Sequence, residues 1–563
     1  MPEPNAIMIA GSGRGRSNSA GRSAGRAWRH PRRLFAAGRL ALAALLMLAA
    51  APAAAGGPAV PAAALPAVRL VASDPSQVGQ WGALMNWPLD AVHASLMPSG
   101  SVLLWDAWET GGTPSVRLWN PATGAFTAVP NQTSQLFCSG HVQLADGRLL
   151  VVGGHNGGDT GINDVNAFDS GSASWSLLPS MNYARWYPAV ARLGDGRVVA
   201  ISGNITPSTI ATTPEVYDPA TSTWTALSSI NTQIDYDAYP QDYTLPDGRV
   251  FVLDSEGGQV RLLDARAGTW TAGPASPVLF GSSTMYRPGK ILVSGGGAGY
   301  GAVFPSLTSA ETIDMTAASP TWTQIAPMAY PRYQHNLVTL PDGNVLALGG
   351  SVTVNIEEHN GSLPAELWSP QTGQWATVAA EQNPRMYHST AVLLPDGRVL
   401  SAGGGRLGTA TDYLTAEIYS PPYLFKGARP SITSAPSTAG YAGMMSIQSP
   451  DAASIASVAL VNLPSNTHTM DFGQAYVPLS FSVSGSTLNV QAPLGANVAP
   501  PGYYMLFLVN SSGVPSMATL VQLSQPADTQ PPAVAVTAPA AGATLSGTVG
   551  LSAGATDNVG VAG

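Results

Sequence analysis

One phrase recurs through most of the chain and constrains its fold more than any other feature. It consists of apolar residues, a turn containing glycine, and a second apolar run that ends in small residues; the copy at 394–404 reads Leu-Pro-Asp-Gly-Arg-Val-Leu-Ser-Ala-Gly-Gly. Asp-Gly between two apolar runs predicts a β-hairpin, because both residues tolerate the positive φ of a tight turn. Seven copies occur at spacings of 41 to 54 residues, with the turn glycines Gly100, Gly147, Gly196, Gly248, Gly289, Gly343 and Gly397.

A repeat of about 50 residues is typical of kelch-type propellers, in which each copy forms one four-stranded blade. Five copies also carry a tryptophan in a short outer-strand phrase, which we interpret as packing between blades. The sequence therefore predicts an all-β fold with a seven-bladed kelch-type β-propeller over 66–428. Loops at one mouth of such a ring converge, so residues distant in sequence can form a single site.

The repeat stops near Arg429. Residues 429–526 still read as short strands but contain no further Asp-Gly-Arg turn, which predicts one immunoglobulin-like β-sandwich. From 528 the chain becomes rich in Pro, Ala and Thr. We interpret 528–563 as the start of a further immunoglobulin-like module, too short to bury a core alone.

Residues 1–56 differ in composition from the rest of the chain. Eight arginines accompany the single acid Glu3, and the apolar run Leu40–Ala51 and several small residues follow. This order predicts an export leader rather than an uncleaved anchor, because a membrane span needs about 20 apolar residues. We expect a secreted monomer, either free or associated with the cell surface, with no membrane segment in its mature form.

Without the leader the chain has 17 basic and 32 acidic residues, a net charge of −15. A surface of that sign repels phosphate backbones, which argues against nucleic acid as a partner. The chain has one cysteine, Cys138. Exported proteins normally use cysteines in pairs, so a lone one is either a buried apolar thiol or a site of chemistry at sulfur.

Three short strings favour chemistry. Leu-Phe-Cys-Ser-Gly at 136–140, Ala-Arg-Trp-Tyr-Pro at 184–188 and Pro-Arg-Met-Tyr-His-Ser at 384–389 each lie about eight to nine residues before a turn of the repeat. They enter the innermost strands of three blades, and inner strands begin at the same mouth of the ring. We therefore expect one axial region to contain Cys138, Tyr187, Tyr387 and His388.

A cysteine, two tyrosines and a histidine make little sense as a packing cluster, whereas they suit a redox metal. Imidazole is a good ligand for copper, and a phenolate is a hard anionic oxygen donor. Copper exchanges one electron at a time, but oxidation of an alcohol or aldehyde removes two. A tyrosine made easier to oxidise by a thioether substituent can supply the second one-electron centre.

These strings resemble the galactose oxidase/glyoxal oxidase family of copper radical oxidases, in which a kelch propeller precedes a C-terminal β-sandwich. The segment Leu463–Asp471 resembles the family's sandwich loop that brings a second histidine, here His468, into the propeller channel. The resemblance covers nearly all of the chain after the leader, up to about residue 526. It implies a Cys138–Tyr187 thioether as radical cofactor, Tyr387 as general base, and four copper ligands: Tyr187, Tyr387, His388 and His468.

Two departures bear on the substrate. Ile205 stands where galactose oxidase stacks a tryptophan on its cross-linked tyrosine, and no carbohydrate-binding domain is recognisable ahead of the propeller. Both favour glyoxal oxidase-like members. We also expect the Tyr187 ring to be more accessible to solvent, unless a residue from another blade covers it.

The resemblance implies an oxidase that converts a small aldehyde, as its hydrate, or a primary alcohol with dioxygen, producing hydrogen peroxide. The alternative is a non-catalytic secreted kelch propeller that binds glycan or protein through its loops, because a fold alone does not give a function. A structural surface protein is a third possibility, suggested by 528–563. The predicted copper residues separate the oxidase from both.

Overall fold

The computed structural model describes residues 74–107, 116–157, 160–232, 239–356, 359–406, 410–524, 533–540 and 542–556. The predicted leader at 1–56 lies outside these residues. The chain divides into two units, Met1–Val68 and Arg69–Gly563, and every described residue belongs to the second. Within the described ranges, helix is limited to three short segments, and none of them could cross a bilayer: Pro75–Val78, Pro422–Phe425 and Ala452–Ser454.

Seven antiparallel sheets follow one another through the described residues, each built on one copy of the repeated phrase. We call each sheet a blade and number the blades in chain order. The seven turn glycines all adopt positive φ, between 73° and 91°, as the hairpin interpretation requires. Inner strands of neighbouring blades contact one another, as in the second with the third and the sixth with the seventh, and the predicted all-β propeller class is confirmed.

The strands of the first three blades, from the axis outward, are His93–Leu96, Val102–Trp105, Arg117–Trp119 and Phe126–Ala128; Gly140–Gln143, Leu149–Val152, Val165–Asp169 and Ser174–Leu178; Ala189–Arg192, Val198–Ile201, Glu215–Asp218 and Thr223–Ala226. The next three blades contain Gln241–Thr244, Val250–Leu253, Val260–Asp264 and Thr269–Ala272; Gly281–Arg287, Lys290–Gly295, Ala310–Asp314 and Trp322–Gln324; Asn336–Thr339, Val345–Leu348, Pro364–Ser369 and Gln374–Ala380. Two small pairs lie outside the blades: Asn204–Thr206 with Thr209–Ile210, and Gly301–Pro305 with Thr353–Val354.

The seventh blade is completed by the beginning of the described chain. Its strands Ser389–Leu393, Val399–Gly403 and Thr415–Ser420 are followed outward by Gln80–Trp81 and Met85–Asn86. The indole of Trp81 donates a hydrogen bond of 2.8 Å to a carbonyl of the sixth blade. The two ends of the propeller are therefore joined by strand pairing.

Burial explains why the inner strands read as nearly continuous apolar runs. Every residue in the two innermost strands of the second, third, fourth and sixth blades is buried, because each blade packs against neighbours on both faces. Three of the five outer-strand tryptophans link blades through hydrogen bonds. Each of these indole N–H groups donates to a backbone carbonyl in the segment that precedes the tryptophan's own blade. The pairs are Trp175–Val129, Trp224–Pro179 and Trp322–Pro274.

Three blades share a buried ion pair just before the inner strand. In each, an arginine from the segment that enters the blade pairs with a glutamate of the third strand, and both side chains are inaccessible to solvent. The guanidinium also donates to a carbonyl at the end of the second strand. This fixes the entering segment in the third, sixth and seventh blades, through Arg185–Glu215, Arg332–Glu366 and Arg385–Glu417.

The strands after the propeller form a β-sandwich of two sheets around a core of its own. One sheet contains Thr438–Ala439, Thr519–Leu523, Gly502–Asn510, Ile455–Asn462 and Tyr476–Leu479, and the other contains Met444–Gln448, Thr487–Gln491 and Phe481–Ser484. Further along the chain, Ala533–Ala538 and Ser552–Thr556 pair as an antiparallel hairpin.

A hairpin of the sandwich extends the first blade toward the axis. Ser465–Thr467 pairs antiparallel with the inner strand His93–Leu96, and Met470–Asp471 returns beside it. The two residues of its turn are His468 at φ 49° and Thr469 at φ 69°. This pairing places His468 inside the propeller.

Candidate metal centre

One position of the repeat supplies most of the axial site. In the second to seventh blades, the residue nine positions before the turn glycine is Cys138, Tyr187, Tyr239, Phe280, Gln334 and His388. Each of them contacts or lines the region around His468. All of them except Tyr239 adopt positive φ, between 48° and 153°. Non-glycine residues in such conformations cost about 1–3 kcal/mol each and cluster at functional sites.

The five predicted site residues meet at one buried point. The Cys138 sulfur lies 3.4 Å from His468 Nε2, and ligand atoms of Cys138, His388 and His468 all lie within 4.8 Å of one another. The hydroxyl oxygens of Tyr187 and Tyr387 are 2.6 Å apart. All five side chains are at most 7% exposed. Residues drawn from three blades and the sandwich thus converge as the sequence predicts.

The tautomer of His388 follows from its neighbours. Its Nδ1 is 2.5 Å from the Gly405 carbonyl, which can only accept a hydrogen bond, so Nδ1 carries the proton. Burial lowers the pKa of His388 to about 3, and the ring is neutral. Its Nε2 therefore presents a lone pair, and this buried atom has no hydrogen-bond partner among the described residues. An unpartnered imidazole nitrogen of this kind fits a metal ligand.

His468 is held in the same tautomer by different means. The Thr467 hydroxyl donates to the Val92 carbonyl at 2.8 Å and so accepts from His468 Nδ1, which is 2.6 Å away. Burial lowers the pKa of His468 well below its ordinary value. Its Nε2 lone pair faces the site beside the Cys138 sulfur.

The two phenols complete a donor set that suits copper. Burial, followed by the neighbouring Cys138 and Tyr387, raises the pKa of Tyr187 well above its ordinary value. Two buried oxygens this close cannot both be anionic without a cation between them. Two neutral imidazole nitrogens and two phenolate oxygens match the nitrogen and oxygen ligands that Cu(II) prefers. The residues present therefore fit a copper ion.

Comparisons with known proteins identify relatives of this chain. A family model described as the galactose oxidase-like early set domain matches residues 429–523, the glyoxal oxidase N-terminus matches 274–423, and a Kelch motif matches 141–182. A fungal alcohol oxidase of the AA5 family, solved in complex with copper, superposes with a TM-score of 0.72. It is 27% identical, and the match covers 80% of this chain and 100% of that one.

An aldehyde oxidase named GLOX from Vitis pseudoreticulata is 32% identical over 333 residues, which is 51% of this chain and 62% of that protein. A galactose oxidase from Gibberella zeae is 30% identical over 493 residues, 80% of this chain and 71% of that protein. The chain belongs to the galactose oxidase/glyoxal oxidase family of copper radical oxidases. The family predicted from the three strings and the sandwich loop is thereby confirmed.

Cover for the Tyr187 ring, which the family's stacked tryptophan would provide, comes from elsewhere. The adjacent Trp186 lies 4.5 Å from Tyr187 between ring centroids at 46°, and Tyr239 from the fourth blade meets the ring edge-on at 5.1 Å. Tyr187 is only 5% exposed. The stated exception to the expected opening of the ring therefore applies, because a residue of another blade covers it although Ile205 stands in place of the tryptophan.

A cavity of about 40 Å³ reaches the Tyr387 and His468 side chains. Among its described lining residues the one charged group is Glu256, which is exposed at the mouth. The analysis of the sequence did not identify the walls of this cavity. The repeat could have identified three of these lining residues, because Tyr239, Phe280 and Gln334 hold the same position as Cys138 in their own blades.

Proposed function

We propose that this chain is a copper radical oxidase that oxidises a small neutral aldehyde, as its hydrate, or a primary alcohol with dioxygen. The observation that carries the proposal is the buried meeting of two tyrosines, one thiol and two imidazoles whose Nε2 lone pairs are unprotonated. A packing cluster would not hold an unpartnered His388 Nε2 at its centre.

In this assignment Tyr187, Tyr387, His388 and His468 hold the copper. When bound, copper accepts one electron and polarises the substrate oxygen. Gly405 and the Thr467 hydroxyl keep both imidazoles in the tautomer that a metal requires. Partners of this kind orient metal-binding histidines throughout metalloproteins.

In the proposed reaction, the residues of this chain carry out one proton transfer and one hydrogen-atom transfer. Tyr387 takes the hydroxyl proton of the substrate as general base. The oxidised Tyr187–Cys138 thioether takes a hydrogen atom from the substrate carbon. A primary alcohol and dioxygen thus give an aldehyde and hydrogen peroxide, and an aldehyde hydrate and dioxygen give a carboxylic acid and hydrogen peroxide.

Support for a small neutral substrate comes from the cavity. The cavity is only about 40 Å³ in volume, and its described lining contains the Glu256 carboxylate and no Lys or Arg. A carboxylate substrate would meet repulsion without a compensating cation. Ile205 and the aldehyde oxidase relative both favour aldehydes over galactose.

The same proposal includes the location of the protein outside the cell. The predicted leader at 1–56 would export the protein, and export suits a reaction that releases peroxide. We propose a secreted monomer that needs no macromolecular partner for catalysis.

The test begins with copper-free protein, to which Cu(II) and air are added. Formation of the thioether replaces the Cys138 S–H and a Tyr187 ring C–H by one C–S bond, and the two protons and two electrons pass to dioxygen. We expect the intact mass to fall by about two hydrogens. The loaded protein should then release peroxide with glyoxal, methylglyoxal, glycolaldehyde or a simple alcohol, and less with galactose or glyoxylate.

Tyr187→Phe is the control, since it keeps the ring packing and removes the redox phenol. It should show neither the mass loss nor radical absorption nor peroxide. A freely alkylatable Cys138 in copper-loaded, aerated protein, together with no peroxide from any substrate, would favour the non-catalytic binding propeller instead.

A further inference from the structure

One residue outside the ligand set, Gly405, holds two of the proposed copper ligands. The Gly405 N–H donates to the Tyr387 carbonyl at 2.8 Å, and the Gly405 carbonyl accepts from His388 Nδ1 at 2.5 Å. The position of Gly405 therefore sets the backbone of one ligand and the imidazole of the next. A Cβ at Gly405 would lie 2.4 Å from the Thr411 carbonyl, so a larger residue could not take its place.

The next residue, Arg406, connects Gly405 to the first blade. Arg406 donates from Nε to Asp106 Oδ1 at 2.8 Å and from Nη2 to Asp106 Oδ2 at 2.6 Å. Asp106 directly follows the second strand of the first blade and is 1% exposed. A bidentate arginine–carboxylate pair fixes both direction and distance, which a single hydrogen bond does not.

Further contacts hold the same segment from both sides. The fully buried Asp90 accepts from the Gly404 N–H at 3.0 Å, and its own N–H donates to Asp106 at 2.9 Å. Asp412 accepts from Arg406 at the backbone N–H and at Nη1, at 2.7 Å and 2.9 Å. We call Asp90, Asp106, Arg406 and Asp412 together the carboxylate clamp.

We propose that Arg406 is a positioning residue for the copper centre, acting through Gly405 on His388 and Tyr387. The proposal rests on the proposed copper function. His388 has the unusual φ of 153°, which its surroundings must maintain. With the clamp released, the 404–406 segment loses its ties to Asp106, and the Gly405 carbonyl no longer fixes the ring.

The charge of Arg406 and its positioning role predict opposite changes in copper affinity when the residue is replaced. A guanidinium near the centre repels a copper cation, so charge alone would make Arg406→Gln bind copper more tightly. Loss of positioning makes the same variant bind more weakly. Arg406→Lys keeps the charge but cannot form the planar bidentate pair, so it isolates the second effect.

The experiment measures the Cu(II) dissociation constant of copper-free protein by chelator competition, beside the EPR spectrum of the bound ion and the melting temperature. Positioning partners of metal ligands are worth about 10–100-fold in affinity. We expect both Arg406→Gln and Arg406→Lys to weaken binding by that factor and to alter the EPR parameters. The matched control is Arg398→Gln, which removes a partly exposed arginine paired with Asp396 in the turn of the same blade. This variant should change neither the copper affinity nor the EPR parameters.

Unchanged or tighter copper binding by Arg406→Gln, with an unchanged EPR spectrum, overturns the proposal. If Arg406→Gln does not fold, Arg406→Lys and Asp106→Asn give the same comparison with smaller changes. Failure of the wild-type protein to bind copper would instead overturn the proposed function, so the two failures can be told apart.

Discussion

The sixth and seventh blades enter the ring through the same scaffold but contribute different groups to the axis. In each, a buried arginine pairs with a glutamate of the third strand, as Arg332–Glu366 and Arg385–Glu417. A histidine follows three residues after the arginine in both, as His335 and His388. The difference lies in length, because the turn glycine lies 11 positions after the arginine in the sixth blade and 12 positions after it in the seventh.

That single extra residue moves the histidine onto the position that faces the axis. Nine residues before the turn, the sixth blade has Gln334 at φ 48° and the seventh has His388 at φ 153°. His335 lies one residue further on, and its Nε2 bonds the Ser294 hydroxyl of the fifth blade at 2.9 Å. The position that faces the axis is thus Gln334 in the sixth blade and His388 in the seventh, and residue types alone do not determine which side chains reach the centre.

The largest effect should come from Tyr387, the residue before His388 and the proposed general base. Tyr387→Phe keeps the ring and removes the oxygen that takes the substrate proton. General base catalysis is worth roughly 10²–10⁴-fold, and we expect kcat/KM to fall by that factor. The thioether mass and the radical absorption in the visible and near infrared should persist.

The matched variant is Gln334→Leu, which lies two residues after its arginine, as Tyr387 does. It changes the cavity wall and should mainly change KM. Equal losses of kcat in the two variants would show that Tyr387 lines the cavity and is not the base.

The second comparison uses the two histidines. His388→Gln removes a proposed ligand, so copper affinity should fall by more than the roughly 100-fold attributed to partners of ligands. His335→Gln should leave the affinity unchanged, because its ring faces the fifth blade. Chelator competition measures both, and a similar loss in the two variants would contradict the register argument.

The smallest predicted effect is on the pH dependence of the free energy of unfolding, and it involves only the sixth blade. Burial lowers the pKa of His335 well below its ordinary value of 6.5, so the folded state keeps this ring neutral while the unfolded chain protonates it. Its stabilising contribution is present above about pH 6.5 and declines as the pH falls below it. One histidine contributes up to about 1.4 kcal/mol per pH unit to that slope.

His335→Gln should therefore flatten the pH dependence of the free energy of unfolding below about pH 6.5, with or without copper. Urea titrations beside Gln334→Leu, a neighbour that does not titrate, give the measurement. A slope that His335→Gln leaves unchanged would mean that this ring is not held neutral.

The sequence was sufficient to predict the fold class and the residues that meet at the centre, since both depend on local strings and the spacing of a repeat. It could not predict the partners that orient the imidazoles. The Thr467–Val92 contact requires pairing between the sandwich hairpin and the first blade, and the Gly405 contact requires a segment held by Asp106. The two-residue strand Gln80–Trp81 is too short to carry a readable pattern.

The hairpin that carries His468 also determines when the centre can exist during synthesis. Its Ser465 hydroxyl lies 2.9 Å from that of Ser95, a residue that leaves the ribosome 370 positions earlier. Chains are made from the N-terminus, and their domains generally fold in that order. A complete propeller whose sandwich has not yet been made therefore has three of the four proposed ligands and cannot complete the donor set. Metal capture therefore waits for the sandwich hairpin, and a centre built to form a radical stays inert until the polypeptide around it is finished.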